Sequence, residues 1–211
     1  MKSLPNIITG LRLVLTLVVF LAMLGLKFDA LFVWAMTSGI DPRTLGMTLY
    51  FTAFWGFVIA GVTDFFDGWL ARKLDAGSTL GAILDPIADK VLVAGAVVGL
   101  AVLGSWMTAL LGGLILFREF AVSALRETLA PRGLTLPVTL LAKWKTTLQL
   151  VALAAQIFVG GWGAWGLPAD PALMTNAVKA ADILLWLAAA VTLWTGVDYA
   201  LAARKALKEA A

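Results

Sequence analysis

Four aspartates, Asp64, Asp67, Asp85 and Asp89, stand in the stretch VTDFFDGWLARKLDAGSTLGAILDPIADKV, residues 62–91, with long apolar runs on both sides. A carboxylate among membrane-grade apolar residues is costly unless it is paired, hydrated or holding a cation. At helical spacing Asp64, Asp67, Gly68 and Ala71 share one face, and Gly81, Asp85 and Asp89 share another. Each face offers two carboxylates beside at least one residue with little or no side chain. Four carboxylates at close range do not all stay ionised without cations. Hard divalent ions with oxygen ligands are the natural answer, and magnesium or manganese fits. Two such ions can clamp a pyrophosphate and stabilise both its attacking and its leaving oxygens. Gly68 and Gly81 would let a bulky group approach the backbone, and Arg72 can offer phosphate a planar fork. The plain alternative has aspartates solvated at helix ends or stabilising helix N-termini. That reading suits Asp75 and does not suit the four spaced acids; for the glycines, helix packing is the competing reading.

Composition says what must hold these residues. The chain has 211 residues, 61% apolar and only 14% charged, with nine tryptophans. Average soluble domains are roughly 45–50% apolar and about 25% charged. An all-α polytopic membrane protein follows, built as one domain over residues 1–211, since helices satisfy their own backbone in lipid. The runs are too continuous for a membrane β-barrel. Without cysteine there is no disulfide or thiolate nucleophile, and without histidine the usual neutral-pH base is missing. Proton abstraction must fall to a carboxylate, a lysine, a tyrosine or a metal-bound group. A net charge of +3 argues against nucleic acid as a partner and suits anionic lipid headgroups.

Six spans are expected, at about residues 8–26, 47–70, 79–103, 106–129, 138–159 and 179–203, each near the ~20 residues that a bilayer core demands. Residues 1–12 are not read as a cleavable signal, and Arg12 either snorkels or points inward. Gly39, Asp41 and Pro42 mark residues 27–46 as a loop. Residues 72–77 form a polar turn, with Ser78 or Thr79 as the next cap. Residues 131–137 form a loop, and residues 160–171 a glycine- and tryptophan-rich interfacial loop. The two acidic faces therefore meet at one membrane edge, on adjacent antiparallel helices. Six spans put both termini on one side. That side collects Lys2, Arg72, Lys73, Arg126, Arg132, Lys143, Lys145, Arg204, Lys205 and Lys208, against Lys27, Arg43 and Lys179 opposite. By the positive-inside rule the rich side, and with it the acidic site, faces the cytoplasm.

The acids and small residues read D-x2-D-G-x2-A-R-x8-G-x3-D-x3-D from Asp64 to Asp89. This resembles the signature of the CDP-alcohol phosphatidyltransferases, with every fixed position filled. LPNIITGLRL, LDPIADKVLVA, REFAVSALRE and AKWKTTLQLVALA are similar to blocks of the family's bacterial branch that uses sn-glycerol 3-phosphate. The resemblance implies six transmembrane helices with the site near the cytoplasmic face of the bacterial inner membrane. It makes Asp64, Asp67 and Asp85 ligands of two Mg2+ or Mn2+ ions. Asp89 becomes the general base, with a share in metal binding. Asp64, Gly68, Ala71, Arg72 and Gly81 would line the CDP pocket. The implied reaction joins CDP-diacylglycerol to sn-glycerol 3-phosphate and releases CMP, in a homodimer among membrane lipids.

An anionic acceptor needs cations of its own, and Arg118, Arg126, Lys143 and Lys145 are the candidates. Arg118 and Glu119 lie mid-run in an apolar span, where charge suggests function. The structural alternative is an Arg118–Glu119 or Glu119–Arg126 pair. Helix geometry puts Glu119, Ser123 and Arg126 on one face and Arg118 about 100° away. Lys145, which shares its face with Gln149, is favoured over Lys143. The acceptor set is thus Arg118, Arg126 and Lys145. Asn6, Thr9 and Arg12 also share a face, either toward the site or as an interfacial anchor. Tryptophans such as Trp55, Trp106, Trp162, Trp165 and Trp194 are expected in interface belts and packing. The rival readings are a sister enzyme using serine, inositol phosphate or phosphatidylglycerol, a divalent-cation transporter, and a non-catalytic scaffold.

Overall fold

In the computed structural model residues 4–74, 79–134 and 140–209 are described, with side chains at all of these except 4–7, 64–74, 79–83, 85, 140, 142 and 143. The described residues are almost wholly helical: α1 (Leu4–Gly25), α2 (Asp29–Thr37), α3 (Pro42–Leu74), α4 (Thr79–Val102), α5 (Trp106–Leu129), α6 (Leu140–Gly160) and α7 (Pro171–Glu209), with 3-10 turns at Ala130–Arg132 and Trp162–Trp165. Of the expected 72–77 turn, residues 72–74 continue α3, while residues 75–78, with Asp75 and the Ser78 cap, lie outside the described residues, as do 135–137 of the 131–137 loop.

Two boundaries differ from expectation for one reason. The expected 27–46 loop contains helix α2, and α3 starts at Pro42 rather than 47. Likewise α7 starts at Pro171 rather than 179. Both starts are Asp-Pro pairs. Asp41 accepts from the Thr44 amide at 3.1 Å and the Arg43 amide at 3.2 Å, and Asp170 accepts from the Ala172 amide at 2.9 Å. Proline fits the first helical turn because its missing N–H has no partner there, and the preceding aspartate caps the orphan amides. Hydrogen bonds from the Thr44 hydroxyl and the Arg43 and Thr44 amides hold the Asp41 carboxyl below its ordinary range.

The packing is that of a membrane protein. Ile8–Gly25, Pro42–Thr63, Trp106–Arg132 and Pro171–Glu209 are each long and apolar enough to cross a bilayer. Trp106, Phe117 and Trp194 are exposed, while Thr9, Arg12, Arg118, Lys145, Gln149 and Thr192 are buried. Charge inside and hydrocarbon outside is stable only where the surroundings are themselves apolar. α1 packs on α3 and α4, α6 and α5 pack on α7, and α4 joins the two groups through α5 and α6. Val19, Met23, Phe57, Ala96, Ile115, Leu153 and Leu185 lie in the shared core. Small residues set the spacing: a Cβ at Gly112 of α5 would come within 2.6 Å of a Val97 methyl on α4. At the far end of α6 from Lys145, Trp165 stacks on Phe158 at 5.0 Å and meets Phe51 edge-on at 4.6 Å. Trp162 is buried and Trp165 partly so, so these two pack rather than form a belt.

Candidate active site

α3 carries Asp64 and Asp67, α4 carries Asp85 and Asp89, and the two helices pack together. Both are helical through the signature, so the expected one-face registers hold for the backbone. The side chains of Asp64, Asp67, Gly68, Ala71, Arg72, Gly81 and Asp85 lie outside those described. No group of three acids is gathered among the described residues, which include the carboxylate of Asp89 alone of the four. The donor set suits a hard divalent ion: four carboxylate-bearing positions on two packed helices, in a chain without thiol or imidazole.

Asp89 is described in full. Its Oδ1 lies 3.1 Å from Arg12 Nη1, and the side chains are 46% and 1% exposed respectively. Arg12 therefore points inward. A guanidinium buried this deeply in an apolar setting needs an anionic partner. The register of α1 against α4 brings Asp89 to it. Thr9, on the same face, is also buried, so this face of α1 turns toward α4 rather than toward an interfacial anchor; the side chain of Asn6 is not described.

Two of the expected acceptor cations, Arg118 and Lys145, share one carboxylate on α5. Arg118 Nη1 donates to Glu119 Oε1 at 3.1 Å. Lys145 Nζ from α6 donates to the same oxygen, and Gln149 Nε2 approaches it at 3.3 Å. Arg118 and Glu119 meet despite their 100° separation on the helix, because the long arginine stem bends round. Arg126 donates to the Tyr199 hydroxyl at 2.9 Å. Lys145 and Gln149 are both buried, whereas the Lys143 side chain lies outside those described.

Sequence reasoning overlooked α7. Arg118 Nη2 donates to Thr195 Oγ1 at 3.0 Å, and Gln149 Nε2 donates to Thr192 Oγ1 at 2.7 Å. The Arg118 and Arg126 guanidiniums lie 5.4 and 4.9 Å from the Tyr199 ring centre. Thr192, Thr195 and Tyr199 fall at i, i+3 and i+7, one face of a helix. A polar stripe at that spacing in an apolar span was the available signal. Two buried cations, Arg118 and Lys145, thus share one carboxylate, and Arg126, itself exposed, stands on Tyr199 beside them, a surplus of positive charge. Such a site suits an anion carrying several oxygens.

Comparison with known proteins points the same way. The profile of the family described as CDP-alcohol phosphatidyltransferase matches residues 2–194. A Cereibacter sphaeroides protein named CDP-diacylglycerol–glycerol-3-phosphate 3-phosphatidyltransferase is 36% identical, over 98% of this chain and 98% of its own. Proteins of the same name are similar too. The one from Rickettsia bellii is 42% identical over 71% of this chain and 77% of its own. The one from Shigella flexneri is 41% identical over 70% and 76%.

Proposed function

The chain belongs to the CDP-alcohol phosphatidyltransferase family, and from that premise we propose that it transfers the phosphatidyl group of CDP-diacylglycerol to sn-glycerol 3-phosphate, releasing CMP. The observation that carries the choice of acceptor is the buried cation cluster of Arg118 and Lys145 around Glu119. A neutral alcohol needs no such excess of positive charge; a phosphorylated one does. The names of the similar proteins support the same pair of substrates.

Enzymes of this family depend on a divalent metal. Asp64, Asp67 and Asp85 would hold two Mg2+ or Mn2+ ions, which would supply charge neutralisation for the pyrophosphate. Gly68, Ala71 and Gly81 would leave room for the cytidine moiety, with Asp64 and Arg72 beside it. Asp89 takes the proton from the acceptor hydroxyl as its oxygen attacks the phosphorus next to diacylglycerol and the bond to CMP breaks. In a chain without histidine a carboxylate is the natural base. Arg12 holds one oxygen of Asp89, whose side chain is 46% exposed and open to an incoming hydroxyl. Arg118, Arg126 and Lys145 bind the acceptor phosphate.

α4 and α6, 24 and 21 residues long, have the length to cross the bilayer beside the other four. Six crossings bring both termini and the acidic helix ends to the lysine- and arginine-rich cytoplasmic side of the bacterial inner membrane. The working unit is a homodimer. An assay of the purified protein tests the whole reading. CMP should be released from CDP-diacylglycerol with sn-glycerol 3-phosphate, and chelation should stop it. Release with serine or inositol phosphate instead would reject the acceptor.

A further inference from the structure

We propose that α7 completes the acceptor site, with Tyr199, Thr195 and Gly196 as positioning residues that set the separation and aim of Arg118 and Arg126. The proposal rests on the reading of glycerol 3-phosphate as acceptor. These residues lie beyond the stretch that the family profile matches, which ends at residue 194.

Three contacts act together. Both guanidiniums lie over the buried Tyr199 ring, Arg118 at 5.4 Å and Arg126 at 4.9 Å from its centre. Its hydroxyl accepts from Arg126 Nη2 at 2.9 Å. Thr195 Oγ1, buried to 1% exposure, accepts from Arg118 Nη2 at 3.0 Å and in turn donates to the Thr192 carbonyl at 2.9 Å. Thr195 is thereby locked in its rotamer and offers Arg118 a fixed acceptor. Gly196 supplies the space: a Cβ there would stand 2.8 Å from Arg118 Cγ, so the arginine stem runs where any other residue would block it.

Arginine has a large rotamer freedom to lose, and a preorganised fork loses less of it on binding an anion. An aromatic face holds a guanidinium without occupying its donors. Tyr199 therefore steadies both arginines while leaving N–H groups of each for a phosphate. The hydroxyl at 199 and the hydroxyl at 195 use one nitrogen of each arginine. Positions on α7 thus tune the affinity for an anionic acceptor without touching the reacting atoms.

Steady-state kinetics on purified variants test this. Tyr199→Leu should raise the KM for sn-glycerol 3-phosphate about tenfold, from the lost cation–π contacts. The KM for CDP-diacylglycerol and kcat at saturating acceptor should change less than about twofold. Tyr199→Phe, which keeps the ring, should restore most of the affinity. Tyr199→Phe is the control against misfolding, since it keeps the packing of the ring. Gly196→Ala should raise the acceptor KM by displacing the Arg118 stem, and thermal unfolding of each variant separates that effect from a general loss of fold. If both Tyr199→Leu and Gly196→Ala leave the acceptor KM at the wild-type value, or move both substrates' KM equally, the inference fails. A wild-type enzyme that ignores glycerol 3-phosphate is a different result: it removes the acceptor reading itself.

Discussion

The α3–α4 pair and the α5–α6–α7 group carry charge in opposite ways. On α3 and α4 the four aspartates crowd into one short stretch of sequence, and on the proposed reading divalent ions balance them. On α5, α6 and α7 the cations come from distant parts of the sequence, and the chain brings their partners with it. Lys145 reaches Glu119 across 26 positions, and Arg118 reaches Thr195 across 77. Arg12 on Asp89 is the one described cation that crosses to the acidic pair. On the proposed reading, the acidic centre takes in metal and the basic centre, whose Arg118 and Lys145 are already paired and buried, takes in a soluble anion. Turnover would then answer to metal and affinity to packing.

The sharpest way to break this contrast is on α4. Asp89→Asn should lower turnover by about a thousandfold, within the range for loss of a general base. The KM for CDP-diacylglycerol should stay near its starting value; CMP release under saturating substrates measures both. Retention of near-full turnover would move the base elsewhere. Next in size is the hub of the basic group. Glu119→Leu leaves buried Lys145 and Arg118 without their shared carboxylate and should destabilise the protein by on the order of 3 kcal/mol. Thermal unfolding followed by tryptophan fluorescence in detergent reads this directly. An unchanged midpoint would mean that the cations are compensated by water instead.

Lys145→Ala should act on affinity, raising the KM for glycerol phosphate about tenfold or more through loss of a charge-assisted contact. Turnover at saturating acceptor should survive, and collapse of turnover instead would erase the division of labour between the two groups. The smallest effect is expected outside both. Lys205 and Glu209 form an exposed i, i+4 pair at 3.8 Å near the end of α7. Exposed pairs contribute little, so Lys205→Ala should leave both unfolding and kinetics where they were.

The same contrast explains what could be read in advance. The acidic signature is local: eight fixed positions on two consecutive helices, each forced onto a face by helical spacing. A carboxylate in an apolar run is conspicuous wherever it folds. The basic site was only half legible. Arg118, Arg126 and Lys145 stand out as charges, but Thr192, Thr195 and Tyr199 carry none, and an apolar helix tolerates hydroxyls without comment. Their role depends on α7 meeting α5, and no periodicity within either helix encodes that meeting. Asp41-Pro42 and Asp170-Pro171 were misread for a different reason. Proline after aspartate marks a turn and also opens a helix, and only the residues after the pair separate the two. α2, nine residues long, is too short for its apolar pattern to declare a period.

The reversal of polarity between interior and exterior reaches beyond folding. On the outward faces Trp106, Phe117 and Trp194 are exposed and suit fluid chains that have no fixed shape, so one greasy residue there can stand in for another. Inside, Arg12, Gln149 and Thr195 each answer to a named neighbour at bonding distance. A saturation library of this protein should therefore look like the photographic negative of one made from a water-soluble enzyme: tolerant of exchange along its oily rim, and intolerant wherever a hydrophilic letter is written into the middle.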